Sequence, residues 1–165
     1  MGHSQGGNAC LHVAIKDPRV TAVLSMMPAK GDLLGIETAD ASKLVVPVFY
    51  VTARYDFIVW THTVRKVFYE ETKNADAWFV ELKNTGHREC PEGVSIILRT
   101  WMFAQLYHDP TAMAIFNGDD WAISTPFAEK ISYSSDGFIQ TGIREPLDVL
   151  NEFSQNWQRI EKNFN

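Results

Sequence analysis

Met1-Gly2-His3-Ser4-Gln5-Gly6-Gly7-Asn8 contains the pattern G-x-S-x-G, and the reading of this stretch decides the fold. A serine with glycine two residues to either side predicts a strand that turns sharply into a helix, with the hydroxyl pushed out above a sheet. The turn is expected to press backbone so close to Gly2 and Gly6 that any side chain at either position would collide. His3 reads as a structural residue packed in the same turn. A hydroxyl presented in this way becomes a useful nucleophile only when a base and an orienting acid stand beside it. Those partners are expected downstream, acid first and histidine second, each on a loop that follows a strand.

The chain supplies both in that order. Val45 to Thr52 is a nearly unbroken apolar, β-branched run, the signature of a strand buried on both faces. It leads into Ala53-Arg54-Tyr55-Asp56, so Asp56 falls just past a strand end. Ala77 to Leu82 is the next such run, and it leads into Lys83-Asn84-Thr85-Gly86-His87, where Gly86 is expected to permit the turn that aims His87. An isolated aspartate or histidine in a loop carries little meaning. Standing in order behind the serine turn, Ser4, Asp56 and His87 read as the nucleophile, orienting acid and base of a hydrolase.

The elements between them follow from periodicity. Residues 8–16 read as a helix with Leu11, Ala14 and Ile15 inward, ended by Asp17-Pro18. A strand over about 20–26 follows, then a loop of mixed character to Lys43 that suits a substrate-lining segment, then the strands at 45–52 and 77–82. Thr61 to Lys73 reads as a helix with Val64, Val67 and Phe68 inward. Pro91 to His108 reads as another, with Val94, Ile97, Leu98, Trp101, Met102 and Leu106 on one stripe. Strand and helix alternate, which implies an α/β fold with parallel pairing. Beyond Pro110 the period fades: one short helix is read around 111–116 and loop to 142. Glu145-Pro146 then opens a final helix whose Leu150, Phe153, Trp157, Ile160 and Phe164 form a heptad-like seam. The division is therefore residues 1–125, carrying the three candidate residues, and a C-terminal extension over 126–165.

Composition bounds the partners. The chain has 165 residues, 45% hydrophobic and 21% charged, enough for one domain with a core of its own. A formal net charge of −5 without a basic cluster argues against nucleic acid or an anionic membrane surface as the main partner. No apolar run reaches the ~20 residues of a membrane span. His12, His62 and His108 show no metal-ligand spacing, and no phosphate-binding glycine loop is present, so neither a metal nor a nucleotide cofactor is implied. The two cysteines, Cys10 and Cys90, fit neither a disulfide-dense scaffold nor a four-ligand zinc site, and whether they pair stays open.

Met-Gly-His-Ser-x-Gly-Gly, Val-Pro-Val-x-x-Val-x-Ala-x-x-Asp and Val-Glu-Leu-x-Asn-x-x-His together resemble the α/β-hydrolases of the dienelactone-hydrolase, cutinase and polyester-hydrolase group. Chlorophyllases and platelet-activating-factor acetylhydrolases are similar more distantly. The likeness spans about Met1 to Asp120. It implies a carboxylic-ester hydrolase working through an acyl-enzyme intermediate, with Ser4 as nucleophile, Asp56 as acid, His87 as base and the backbone N–H of Gln5 as one oxyanion donor. Tyr55 and Trp60, beside Asp56, are candidate substrate-lining residues for a small-molecule or lipid-like ester. Where the polyester hydrolases carry Pro-Trp this chain has Pro28-Ala29, and serine stands where the dienelactone hydrolases proper have cysteine.

In the family the serine turn closes a central strand that follows about half the domain. The resemblance therefore implies that Met1 is an internal methionine and that this chain is the C-terminal half of the fold. The N-terminal half of the sheet and the second oxyanion donor would lie upstream, as would any targeting signal; the compartment is unknown, and secretion fits the likeness. Such a half is expected to be a weak or inactive hydrolase and to self-associate through its open sheet edge. Two alternatives use the same sequence: a non-catalytic truncated or pseudoenzyme interaction module, and an acyltransferase built on the same three residues.

Overall fold

The structure, a computed structural model, describes residues 1–31, 35–82, 85–89, 94–116 and 128–130. Five strands form one sheet in sequence order: β1 (Gly2–His3), β2 (Val23–Met26), β3 (Val48–Ala53), β4 (Ala77–Leu82) and β5 (Ala128–Lys130). The first four run parallel, as the alternation of apolar strands and helices predicts, and β5 pairs antiparallel with β4. Helix α1 (Gln5–Lys16) follows β1, α2 (Thr61–Val64) follows β3, and α3 (Val94–Tyr107) and α4 (Pro110–Phe116) come after β4.

The strand boundaries shift for local reasons. Val20 donates its N–H back to the Asp17 carbonyl in a turn, so β2 begins at Val23 and not near residue 20. Pro47 has no N–H for the ladder, and β3 begins after it, with Val45 left exposed. β4 covers the residues expected of it. Gln5 is already helical, three positions ahead of the predicted start of α1.

Register sorts the core onto two faces. Leu24, Phe49 and Trp78 are direct neighbours across β2, β3 and β4, as are Ser25, Tyr50 and Phe79 one residue further on. Because side chains alternate along a strand, these two sets point to opposite faces. On the first, Phe49 meets Trp101 of α3 and Phe116 of α4 at ring separations of 5.3 and 5.6 Å, and the indole N–H of Trp78 donates to the Phe116 carbonyl. On the second, Tyr50 stacks on Phe68, and the Ser25 hydroxyl donates to the Gly7 carbonyl of α1. All six β3 residues are buried, as a central strand covered on both sides requires.

Several expectations need correction. The helix read over 61–73 is a single α-turn continued by a wider π-helical turn, Arg65–Tyr69, which presents two successive aromatic residues, Phe68 and Tyr69, to Tyr50. On α3, Ile97 and Trp101 are buried as predicted, but Met102 and Leu106 are exposed. These two residues instead line a groove of about 220 Å³ with Met1, Ala22, Leu24, Trp101 and Gln105. β5 arises in a stretch read as loop, and it brings part of the 126–165 extension into the sheet. Cys10 is a free thiol on α1, pushed above the usual thiol range by burial. Cys90, Pro91 and the terminal helix from Glu145 lie outside the described residues, as does the Val94 side chain.

Candidate active site

Ser4 sits at the joint between β1 and α1 with φ 56° and ψ −121°. This is the left-handed side of conformational space, where a non-glycine residue costs on the order of 1–3 kcal/mol. Three backbone bonds hold it there. Ser4 N–H donates to the Met26 carbonyl at 2.9 Å, and the Ser4 carbonyl accepts from Asn8 at 3.2 Å and from Ala29 at 3.0 Å. A Cβ at Gly2 would lie 2.0 Å from the Gly6 carbonyl oxygen, and one at Gly7 would lie 2.9 Å from that of Met26. At Gly6 nothing stands within 4 Å. The expectation of a steric demand at Gly6 is thus corrected: the second close approach is at Gly7, where α1 crosses the end of β2.

Asp56 lies beyond the end of β3 and its side chain is fully buried. Its Oδ1 accepts the backbone N–H groups of Ile58 at 2.8 Å and Val59 at 2.7 Å, fixing the loop that follows. Its Oδ2 faces His87 Nδ1 at 2.6 Å. The two loops are stitched together by backbone bonds, from Arg54 N–H to the Leu82 carbonyl and from Tyr55 N–H to the Thr85 carbonyl.

His87 completes a continuous chain. Its Nε2 stands 2.9 Å from Ser4 Oγ while its Nδ1 meets Asp56. A carboxylate only accepts, so Nδ1 carries the proton and Nε2 presents a lone pair to the serine hydroxyl. Residues 4, 56 and 87, far apart in sequence, are thus joined by two hydrogen bonds at the C-terminal ends of β1, β3 and β4. Gly86 has no positive φ, and a Cβ there would make only ordinary contact, 3.5 Å from the Tyr55 carbonyl oxygen. The turn that aims His87 therefore does not require glycine. It is held instead by the Glu89 carboxylate, which accepts the Gly86 N–H at 2.9 Å.

The remaining predicted residues take less definite positions. Gln5 opens α1, and at that helical position the N–H has no carbonyl one turn back to bond. Tyr55 and Trp60 flank Asp56 and are 52% and 59% exposed. Between them Phe57 and Ile58 are exposed as well, Phe57 by 83%, so the Asp56 loop carries four large apolar side chains into solvent. Sequence reasoning passed over Phe57 and Ile58; an apolar run placed inside a turn was the available signal. It also passed over Asn8, fully buried, whose side chain holds the Glu37 carbonyl and the Ala39 N–H against α1. His3 reaches His87 directly, its Nε2 lying 2.8 Å from the His87 carbonyl oxygen.

Neither family models nor curated proteins give a match to this chain. Among solved structures it is similar to one described as a "Putative Dienelactone Hydrolase from Klebsiella pneumoniae subsp. pneumoniae MGH 78578", with a TM-score of 0.54 and 18% identity. The fold is that of a dienelactone-hydrolase-like α/β-hydrolase. The match covers 66% of this chain and 50% of the Klebsiella protein, so the chain spans about half the length of that structure. In an α/β-hydrolase fold the C-terminal ends of the parallel strands are where binding and chemistry are usually housed, and that is the rim on which Ser4, Asp56 and His87 meet.

Proposed function

We propose that this chain is a serine hydrolase acting on carboxylic esters through an acyl-enzyme intermediate. The observation that carries the reading is the unbroken run of hydrogen bonds from Ser4 Oγ through the His87 imidazole to the Asp56 carboxylate. His87 Nε2 takes the hydroxyl proton as Oγ attacks the ester carbonyl, then returns it to the departing alkoxide. Asp56 keeps the imidazole in the required tautomer and offsets the imidazolium charge. A water, deprotonated by the same Nε2, then attacks the acyl carbonyl and frees Ser4.

The developing oxyanion needs preorganised donors, and the Gln5 N–H is the one we assign. Loss of a single donor costs on the order of 10²–10³ in turnover, so the Gln5 N–H is assigned a large share of the rate. Tyr55 and Trp60 are proposed to line the site for a small or lipid-like ester. We also propose that the chain self-associates through the outer edge of β1, which no strand covers among the described residues.

A fluorophosphonate probe tests the reading directly, because it reacts only with an activated serine. Labelling of the wild-type chain that disappears in Ser4→Ala and in His87→Ala supports it. A wild-type chain that labels no faster than Ser4→Ala overturns it.

A further inference from the structure

We infer that His3 is a positioning residue that holds His87 in line with Ser4 throughout the reaction, an inference that rests on the proposed hydrolase reading. A carbonyl oxygen only accepts, so His3 Nε2 carries the proton in its 2.8 Å bond to the His87 carbonyl. The two imidazoles also pack together, with ring centroids 4.7 Å apart and tilted by 45°. Two consecutive residues thus grip His87 from both ends: His3 holds its main chain, and the Ser4 hydroxyl meets its Nε2.

These grips are not equivalent. The Ser4 bond is consumed by the chemistry, because once Oγ carries an acyl group it has no proton to offer Nε2. Among the described residues, the His87 loop is also tied by Gly86 to Glu89, by Thr85 to Tyr55 and by His87 Nδ1 to Asp56, and none of these three bonds leads to the nucleophile strand. The His3 bond does, and it survives acylation. It therefore keeps the imidazole over the ester while water attacks. A base displaced by about 1 Å loses rate on the order of 10²-fold, and the loss here falls on deacylation.

The test compares His3→Phe, which keeps an aromatic ring without the donor, with His3→Gln, whose amide N–H has about the reach of Nε2. With an activated ester, His3→Phe is expected to lower kcat by roughly 10- to 100-fold and to lower KM with it, as acyl-enzyme accumulates, while His3→Gln recovers most of kcat. The His87 Nδ1 proton, held by Asp56, gives a second readout by NMR that needs no substrate. Its downfield resonance is expected to persist in His3→Gln and to broaden or vanish in His3→Phe; His3→Leu replaces the latter if it fails to fold. A wild-type resonance in every variant overturns the inference, as does an equal fall of kcat in the Phe and Gln variants. Should the wild-type chain show neither esterase turnover nor probe labelling at Ser4, the hydrolase reading fails while the resonance still decides the role of His3.

Discussion

Asp56 accepts the Val59 N–H at 2.7 Å with one carboxylate oxygen and meets His87 Nδ1 at 2.6 Å with the other, so a single side chain shapes its loop and orients the imidazole. The two roles separate by substitution. In Asp56→Asn one half of the group becomes a donor. Turned toward His87 it forces the proton onto Nε2, where it blocks acceptance from Ser4; turned away it confronts the Ile58 and Val59 N–H groups. Turnover is expected to fall on the order of 10⁴-fold with the fold largely kept. Asp56→Ala also strands the N–H of Val59, a buried residue, at about 1–3 kcal/mol for such a group. Denaturant melts beside probe-labelling rates distinguish the variants; equal stability for the two would contradict the loop-shaping role.

The glycines around Ser4 are predicted to differ sharply in tolerance. At Gly2 a methyl group would sit 2.0 Å from backbone, so Gly2→Ala is expected to disrupt the joint between β1 and α1. Gly7→Ala forces α1 away from Met26 and Pro28 at a smaller cost. Gly6→Ala meets nothing, and within a helix it is expected to be neutral or to stabilise by roughly 0.5–1 kcal/mol. Urea midpoints in the order Gly6→Ala, Gly7→Ala, Gly2→Ala, highest first, are the expected result.

The contrast between Gly2 and Gly6 marks what the sequence can and cannot convey. The G-x-S-x-G pattern with apolar runs ahead of Asp56 and His87 is local in form, and it makes the parallel sheet and the meeting of three residues legible. The pressure on Gly2 comes from within the turn itself, whereas that on Gly7, and its absence at Gly6, depends on how α1 crosses β2, a tertiary fact. The same holds for Met102 and Leu106: their spacing on α3 matches a buried stripe, but in the fold they stand exposed along a groove. The π-helical turn at Arg65–Tyr69 leaves no mark in the 3.6-residue period; its Phe68 and Tyr69 both meet Tyr50, a contact between distant residues. β5 is three residues long, too short for alternation to stand out. His3 contacts a residue 84 positions away, which no local pattern reveals.

Tyr50 predicts a loss of stability in alkali. Its hydroxyl is held by Thr72 Oγ1 at 2.9 Å, and since that hydroxyl donates to the Phe68 carbonyl, Tyr50 is the donor in the bond. Burial pushes the phenol well above its ordinary value of 10.0, more than the Thr72 bond lowers it. In the unfolded chain the phenol ionises at the ordinary value, whereas the folded chain keeps its proton to higher pH. The unfolded state thus holds fewer protons in that window, and stability falls as pH rises above about 10. Melting curves between pH 8 and 11 are expected to show this fall, and Tyr50→Phe is expected to flatten it. A slope unchanged in the phenylalanine variant would assign the alkaline loss to another group.

The groove between β2 and α3 is lined by Met1, the residue before β1, and Met1, Met102 and Leu106 are exposed around it. Apolar surface near the β1 edge, which no strand covers among the described residues, favours association with a second copy. Sedimentation is expected to detect concentration-dependent dimers or larger species, with Leu106→Lys shifting the population toward monomer. A wild-type chain that sediments as a monomer and melts cooperatively would remove the proposal.

The four exposed side chains of the Asp56 loop make the last prediction, that the length of the acyl chain is read there. Phe57 and Ile58 contribute little to the folded state, being exposed by 83% and 55%, yet Asp56 Oδ1 fixes the backbone that bears them. Apolar groups fixed on the loop that carries Asp56 would lose no further backbone freedom on covering the hydrocarbon chain of an ester at Ser4, the nucleophile proposed above, and each buried CH₂ is worth about 0.8 kcal/mol. Phe57→Ser combined with Ile58→Ser is therefore expected to leave the melting temperature nearly unchanged. For an octanoate ester it should lower kcat/KM by roughly 10-fold or more, and for the acetate by much less. Parallel losses on both esters would place these side chains in folding or general access and not in selection of the acyl group.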